Sequence, residues 1–436
     1  MEETKLNLYT NNAVPTDSAA TTKANRAYAW LVFTLMFCLL LSDYMSRQAI
    51  NALFPILKVQ WQMSDTQLGS ISSVVPLTVG VLTLPFSIFA DRWGRVKSIA
   101  LMAALWSLAT LGCAIATNYH EMFFARVFVG IGEAAYASVG IAMLMGIFPK
   151  HMRATIAGGF TSAAAFGSVL GVSLSGIIAA HFGWRWSMGL MAVFGFVVVI
   201  IYSLVVTEKK LACANPDAPG GMPAYGRTKL TPRLLIRGLF PSRSVICAYI
   251  AGALQIFIQG TMFVWLPSYL NRYCGMPVSK AAVVAAGLVL VSGVGQLMCG
   301  VMTDRISHDS SVNRWNMAIC YCLLLGSLME IAFRMPAGNM QLAFLVPAVF
   351  FLASSFSTCS PIIAGATPPA IHGSAFATMA LFNNILGLAA GPFLTGMIAD
   401  AVGLQVALRW LPVAAILPLA VYALGRSFYV AERKRK

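Results

Sequence analysis

The chain has 436 residues, of which 58% are hydrophobic and only 10% charged, and its mean hydropathy is +0.75. Soluble domains carry about 25% charged residues, so a soluble fold is excluded. The formal charge of +15 would suggest nucleic acid in a soluble chain, but its placement beside long apolar runs points to a membrane and to anionic lipid, not to nucleic acid.

A bilayer span needs about 20 apolar residues, and twelve such runs are predicted in chain order. They cover 28–57, 67–90, 97–117, 121–147, 153–180 and 186–206, then 244–271, 279–302, 315–334, 341–365, 373–399 and 404–428. The expected fold is an all-α polytopic membrane protein: two six-helix bundles, 28–206 and 244–428, joined by a cytoplasmic linker, 207–243, rich in Pro and Gly. Residues 1–27 read as a polar cytoplasmic tail, not a cleaved signal peptide, and 429–436 as a basic one. With both ends inside, the inner segments hold Arg92, Arg95, Lys97, Lys209, Lys210, Arg243, Arg305 and Arg426 among others. The outer side keeps Lys58, Arg185, Arg272, Lys280, Arg334 and Arg409. This Lys/Arg bias fixes an N-in, C-in topology.

The first predicted span contains Asp43 and Arg47, the fourth Arg126 and Glu133. Each such charge costs about 2.5–3.5 kcal/mol at a bilayer centre on insertion scales. Asp43 and Arg47 are four residues apart, on one helix face and about 6 Å apart in rise. Arg126 and Glu133 are seven apart, again on one face, about 10.5 Å along the axis. If both faces line one cavity, it holds two permanent cations able to clamp a carboxylate and two acids able to load and release protons. That equipment suits a proton-coupled carrier of organic anions. The competing reading is two internal salt bridges that only pin helices. Polar groups of the second half, Gln255, Gln259, Gln296, Ser354, Ser357, Asn383 and Asn384, are candidates for the rest of the substrate or for interhelical contacts. Trp265 and Tyr269 are either part of the site or an interfacial belt.

The cysteines are odd in number and mostly lie in apolar runs, which argues against a disulfide framework. Cys320 and Cys322 are two apart on a helix and so face different ways, which favours packing over a metal. No cofactor is expected beyond the coupling proton. No nucleophile–base pair, metal cluster or phosphate loop suggests an enzyme.

Asp91-Arg92-Trp93-Gly94-Arg95 follows the second span and Asp304-Arg305 the eighth, an equivalent place in each half. The first copy, Ser87 to Arg95, resembles the signature loop of the major facilitator superfamily, usually G-x-x-x-D-R-x-G-R, with Ser87 in place of the first Gly. The resemblance implies that Asp91, Arg92, Arg95, Asp304 and Arg305 act in gating. Arg47, Arg126, Glu133, Trp265-Leu-Pro-Ser-Tyr269 and Phe182-Gly-Trp184-Arg185-Trp186 are similar to the anion:cation symporters within that superfamily. Their first span commonly reads N-Y-x-D-R, where this chain has Asp43-Tyr44-Met45-Ser46-Arg47.

The likeness implies substrate binding by Tyr44, Arg47 and Arg126 and proton coupling by Glu133. The family's Asp is Ser46 here. Asp43 either takes over a proton role from a displaced position or pairs with Arg47 and leaves Glu133 as sole coupler. Gly-x-Gly132-Glu133-Ala-Ala-Tyr136 is also similar to spinster-type lysolipid carriers. The leading expectation is proton-coupled uptake of a sugar acid, aromatic carboxylate or dicarboxylate by a monomer in a bacterial inner membrane. The alternatives are export of an amphipathic or lysolipid-like compound, drug efflux, or a nutrient receptor.

Overall fold

The computed structural model describes residues 18–149, 152–213, 238–307, 310–368 and 371–434. Of the expected tail over 1–27, residues 1–17 lie outside the described residues and 18–27 are helical, continuous with the first span. Of the expected linker over 207–243, residues 214–237 lie outside them and Glu208–Cys213 forms a short helix. Residues 435–436 also lie outside. Among the described residues, twelve helices are long and apolar enough to span a bilayer. In chain order they are α1 (Arg26–Gln60), α2 (Asp65–Ala90), α3 (Arg95–Ile115), α4 (Tyr119–Ile147), α5 (Thr155–Phe182) and α6 (Trp184–Val205). The second set is α7 (Arg243–Tyr273), α8 (Val278–Ile306), α9 (Ser311–Arg334), α10 (Asn339–Ala366), α11 (His372–Val402) and α12 (Leu404–Arg433). The end where α1 begins is called proximal here, and the end where it finishes distal.

Each predicted run overlaps one of these helices, and the differences lie at breaks and ends. The fourth span is two helices, Tyr119–Glu133 and Tyr136–Ile147. The tenth is Asn339–Phe350 and Ser354–Ala366. In the eleventh a π-helical turn occupies Asn383–Ala389. Such interruptions free backbone groups that neighbouring helices must satisfy: the Ala134 carbonyl lies 2.7 Å from the Thr83 hydroxyl of α2. The basic segment after 428 continues the last helix through Lys434. Tyr429 packs against Trp315 at 6.4 Å between ring centroids, and Glu432 accepts a hydrogen bond from Ser244.

Small residues set how closely the helices approach. A methyl group on Gly171 would stand 2.5 Å from the Met45 carbonyl oxygen of α1, and one on Gly132 would stand 2.6 Å from the Trp106 nitrogen of α3. The residues carrying the charges of α1 and α4 are thereby held against α5 and α3.

The two halves are joined at the distal end. Helix α2 starts there with a capping box between Ser64 and Gln67. Its next two N–H groups, of Asp65 and Thr66, donate to Oδ1 and Oδ2 of Asp400 on α11, at 2.6 and 2.8 Å. Asp65 also pairs with Arg272 at the end of α7, 2.9 Å away. Phe54 of α1 meets Trp265 of α7 edge to face at 5.5 Å. Trp265 and Tyr269 are buried, with the indole donating to the Pro392 carbonyl and the phenol accepting from Gln341. They belong to the packed interior and not to an interfacial belt.

Candidate functional site

Arg47 and Glu133 meet across the α1–α4 interface. Nε and Nη2 of Arg47 donate to Oε2 of Glu133 at 2.9 and 2.6 Å. The arginine side chain is 12% exposed and the glutamate side chain 1%. The same guanidinium lies over the Tyr44 ring, 5.3 Å from its centroid, a cation–π contact that fixes its plane. Asp43, one turn before Arg47, is buried and close enough to Glu133 for their charges to interact. Asp43 Oδ1 and Glu133 Oε1 are both buried without a hydrogen-bond partner. Asp43, Glu133 and Arg47 thus form one charged cluster with two unpartnered carboxyl oxygens.

Arg126 is placed differently. It is fully buried, and its donors go to backbone carbonyls: Nε to Ile71 at 3.3 Å, Nη1 to Ser46 at 3.3 Å and Nη2 to Arg47 at 3.1 Å. It ties α4 to α1 and α2 directly beside the cluster. Ser46, at the position where the resembled family has Asp, turns its hydroxyl to the Asp43 carbonyl, 2.8 Å away.

The second-half candidates divide into two groups. Gln255 is closed into the interior. Its Nε2 donates to Ser354 Oγ at 2.8 Å, and its Oε1 accepts from the Tyr422 hydroxyl at 3.1 Å. Gln259 and Asn383 each carry a buried side-chain oxygen with no hydrogen-bond partner, and Asn383 opens the π-helical turn of α11. Asn384 donates to the Ala380 carbonyl of its own helix at 2.9 Å.

The expected gating residues all lie at the proximal end. Arg92, Asp304 and Arg305 are exposed, and Arg95 lies 3.4 Å from the Ala142 carbonyl of α4. The side chain of Asp91 is outside the described residues. Ser87, the departure from the usual glycine, sits 3.1 Å from Ser138 of α4, hydroxyl to hydroxyl. Sequence reading missed the distal group of Lys58, Asp65, Arg272 and Asp400. The Ser64–Gln67 cap was a readable signal for the start of α2, but its meeting with α7 and α11 was not.

Known proteins share this plan. The family model described as Major Facilitator Superfamily matches residues 36–346. The sphingosine-1-phosphate transporter SPNS2 of Danio rerio is 24% identical over 381 residues, covering 82% of this chain and 74% of that protein. The hexuronate transporter of Bacillus subtilis is 23% identical over 379 residues, covering 85% and 88%. Among solved structures, a bacterial homolog of the human lysosomal transporter Spinster, in an inward-facing and unoccupied conformation, matches with a TM-score of 0.81 at 18% identity. That match covers 93% of this chain and 98% of the other. The match over most of the chain and the twelve-helix architecture lead to one conclusion: the protein belongs to the Major Facilitator Superfamily and is a transporter, not an enzyme.

Proposed function

We propose that the protein carries a small organic anion together with protons, by alternating access, and that Arg47 and Glu133 perform the coupling. The carrying observation is their two-bond ion pair, with Arg47 still partly accessible and Asp43 beside Glu133. While Glu133 is ionised it occupies the guanidinium. When it takes a proton, Arg47 is freed to bind the carboxylate of a substrate. Anion and proton therefore favour each other's binding, which is symport by thermodynamic linkage. Asp43 shares the proton with Glu133.

Arg126 holds the α1 carbonyls in place and shapes the site. Tyr44 positions the Arg47 plane. Gln259 and Asn383 offer acceptors to hydroxyl or amine groups of the substrate, while Gln255 braces the second half. The conformation is closed at the distal end by Asp65, Arg272 and Asp400. The proximal loops with Asp91, Arg92, Arg95, Asp304 and Arg305 close the opposite one in turn.

Basic residues cluster at the proximal end, which supports placing it on the cytoplasmic side. The reading is of a monomer in a bacterial inner membrane, needing no cofactor beyond the proton. Sugar acids are favoured by the hexuronate transporter among the relatives. The second reading, an amphipathic anion with a phosphate headgroup, is favoured by the sphingosine-1-phosphate transporter, and the same Arg47 would receive it.

The test is proton flux into proteoliposomes on adding pools of small carboxylates or of amphipathic phosphates, for wild type and Arg47→Ala. Uptake with carboxylates that is lost in the variant supports the first reading. A response to the amphipathic pool alone moves the assignment to the second. Proton flux that is unchanged in Arg47→Ala refutes the coupling role.

A further inference from the structure

We propose a second anion site at the distal mouth between α1 and α7, where Lys58 and Arg272 receive the carboxylate or phosphate group of an arriving anion. The site is separate from the Arg47 cluster and does not depend on its role. A cavity of about 430 Å³ opens there, lined by Pro55, Lys58, Gln62, Asn271 and Arg272 among others. Its size accommodates a small anion and is at the low end of the range for ligand pockets.

Two cations converge on one acid at this cavity. Lys58 Nζ lies 2.7 Å and Arg272 Nη1 2.9 Å from the same oxygen, Oδ1 of Asp65. Asp400, the other acid close by, has both oxygens engaged by the backbone N–H groups of Asp65 and Thr66. One carboxylate is therefore shared between two full positive charges. Arg272 Nη2 has no hydrogen-bond partner and is itself buried, so this half of the fork becomes available to an anion as the guanidinium turns toward the cavity. A guanidinium in that state is suited to a second carboxylate or a phosphate. Neither cation is sealed away, with Lys58 34% and Arg272 19% exposed at the side chain. Arg185, at the same end, is engaged by the Ala116 carbonyl and the Trp184 ring.

Docking has a mechanical consequence. Asp65 belongs to α2 and Arg272 to α7, so their pair ties the two halves. An anion that draws Arg272 away from Asp65 weakens that tie. Arrival of an anion thus favours opening of the distal end.

The test is acylation of lysines by a membrane-impermeant N-hydroxysuccinimide ester, on the full chain in phosphatidylcholine nanodiscs, read lysine by lysine by mass spectrometry. Lys280, exposed on the first turn of α8, is the internal reference. Millimolar inorganic phosphate, at ionic strength held constant with chloride, is expected to slow Lys58 at least threefold and leave Lys280 unchanged. Protection is expected to persist in Arg47→Ala, to be lost in Arg272→Gln, and to need less phosphate in Asp65→Asn, where the competing carboxylate is gone.

Nanodiscs containing phosphatidylglycerol separate the sources. If Lys58 is already slow there and phosphate adds nothing, the occupant is a lipid headgroup; if phosphate is still needed, it is a free anion. The proposal is overturned if neither phosphate nor phosphatidylglycerol protects Lys58, if Lys58 and Lys280 slow together, or if protection vanishes in Arg47→Ala.

Discussion

Arg47 gives two hydrogen bonds to a single oxygen of Glu133, and the other oxygen of that carboxylate has no partner. The pair joins residues 86 positions apart and links the first helix to the fourth. Its asymmetry makes the carboxylate the exchangeable member. Glu133→Gln keeps the shape and a hydrogen-bond acceptor but removes the titrating group. This variant is expected to retain exchange of labelled substrate down its gradient and to lose proton-driven accumulation. Paired counterflow and uptake assays check this, and normal accumulation would remove Glu133 from the coupling role.

Arg126 tests a different property. Arg126→Ala removes its bonds to three helical carbonyls, which keep their own backbone partners, and hydrogen bonds to a charged group contribute about 1.5–3 kcal/mol each. A net loss of roughly 2–4 kcal/mol in stability is expected. Thermal unfolding in detergent should show a markedly lower midpoint for this variant than for Arg47→Ala. Equal midpoints would mean that Arg126 is not what ties α4 to α1.

Gln255 and Gln259 are one helical turn apart yet differ in surroundings. The first is bonded on both sides by Ser354 and Tyr422, and the second has a bare buried oxygen. Gln255→Ala should lower the unfolding midpoint with little change in substrate KM. Gln259→Ala should do the reverse, raising KM several-fold in a folded protein. The midpoints and KM values of the two variants together decide the assignment.

Gly171 stands where an added methyl would meet the Met45 carbonyl at 2.5 Å. The obstacle is backbone and cannot turn aside. Gly171→Ala should force α5 off α1 at a cost of about 1–3 kcal/mol, read as a lower unfolding midpoint. An unchanged midpoint would show that the two helices slide apart freely.

The distal tie predicts a change of accessibility. Asp400→Asn weakens the hold on the first N–H groups of α2, and Arg272→Ala removes the link to α7. Ser268, buried on α7, replaced by cysteine in a background without native cysteines, should react several-fold faster with a membrane-impermeant thiol reagent in either variant. An unchanged labelling rate would show that the ties do not hold the distal end shut.

Much of the fold was legible in the chain because a bilayer demands long apolar runs and helical hydrogen bonding. The twelve runs, the Lys/Arg asymmetry and the anomalous charges Asp43, Arg47, Arg126 and Glu133 could all be read from residue type and spacing alone. Helical period also showed that Cys320 and Cys322 face apart, and the structure has the first exposed and the second buried. The breaks in the fourth and tenth spans were not legible, because their freed carbonyls are satisfied by residues far away in sequence, such as Thr83 for Ala134.

Pairing was the other thing left open. Period places Asp43 beside Arg47 and Arg126 above Glu133 on their own helices, but it says nothing of how two helices rotate toward each other. Tertiary packing turned Arg47 to Glu133 and Arg126 to the carbonyls of Ile71, Ser46 and Arg47. It also brought Asp65, Arg272 and Asp400 together from three helices. The sequence by itself determined which residues a membrane would not tolerate alone. Only the crossing of helices, set by close contacts such as those at Gly132 and Gly171, decided which partner each would have.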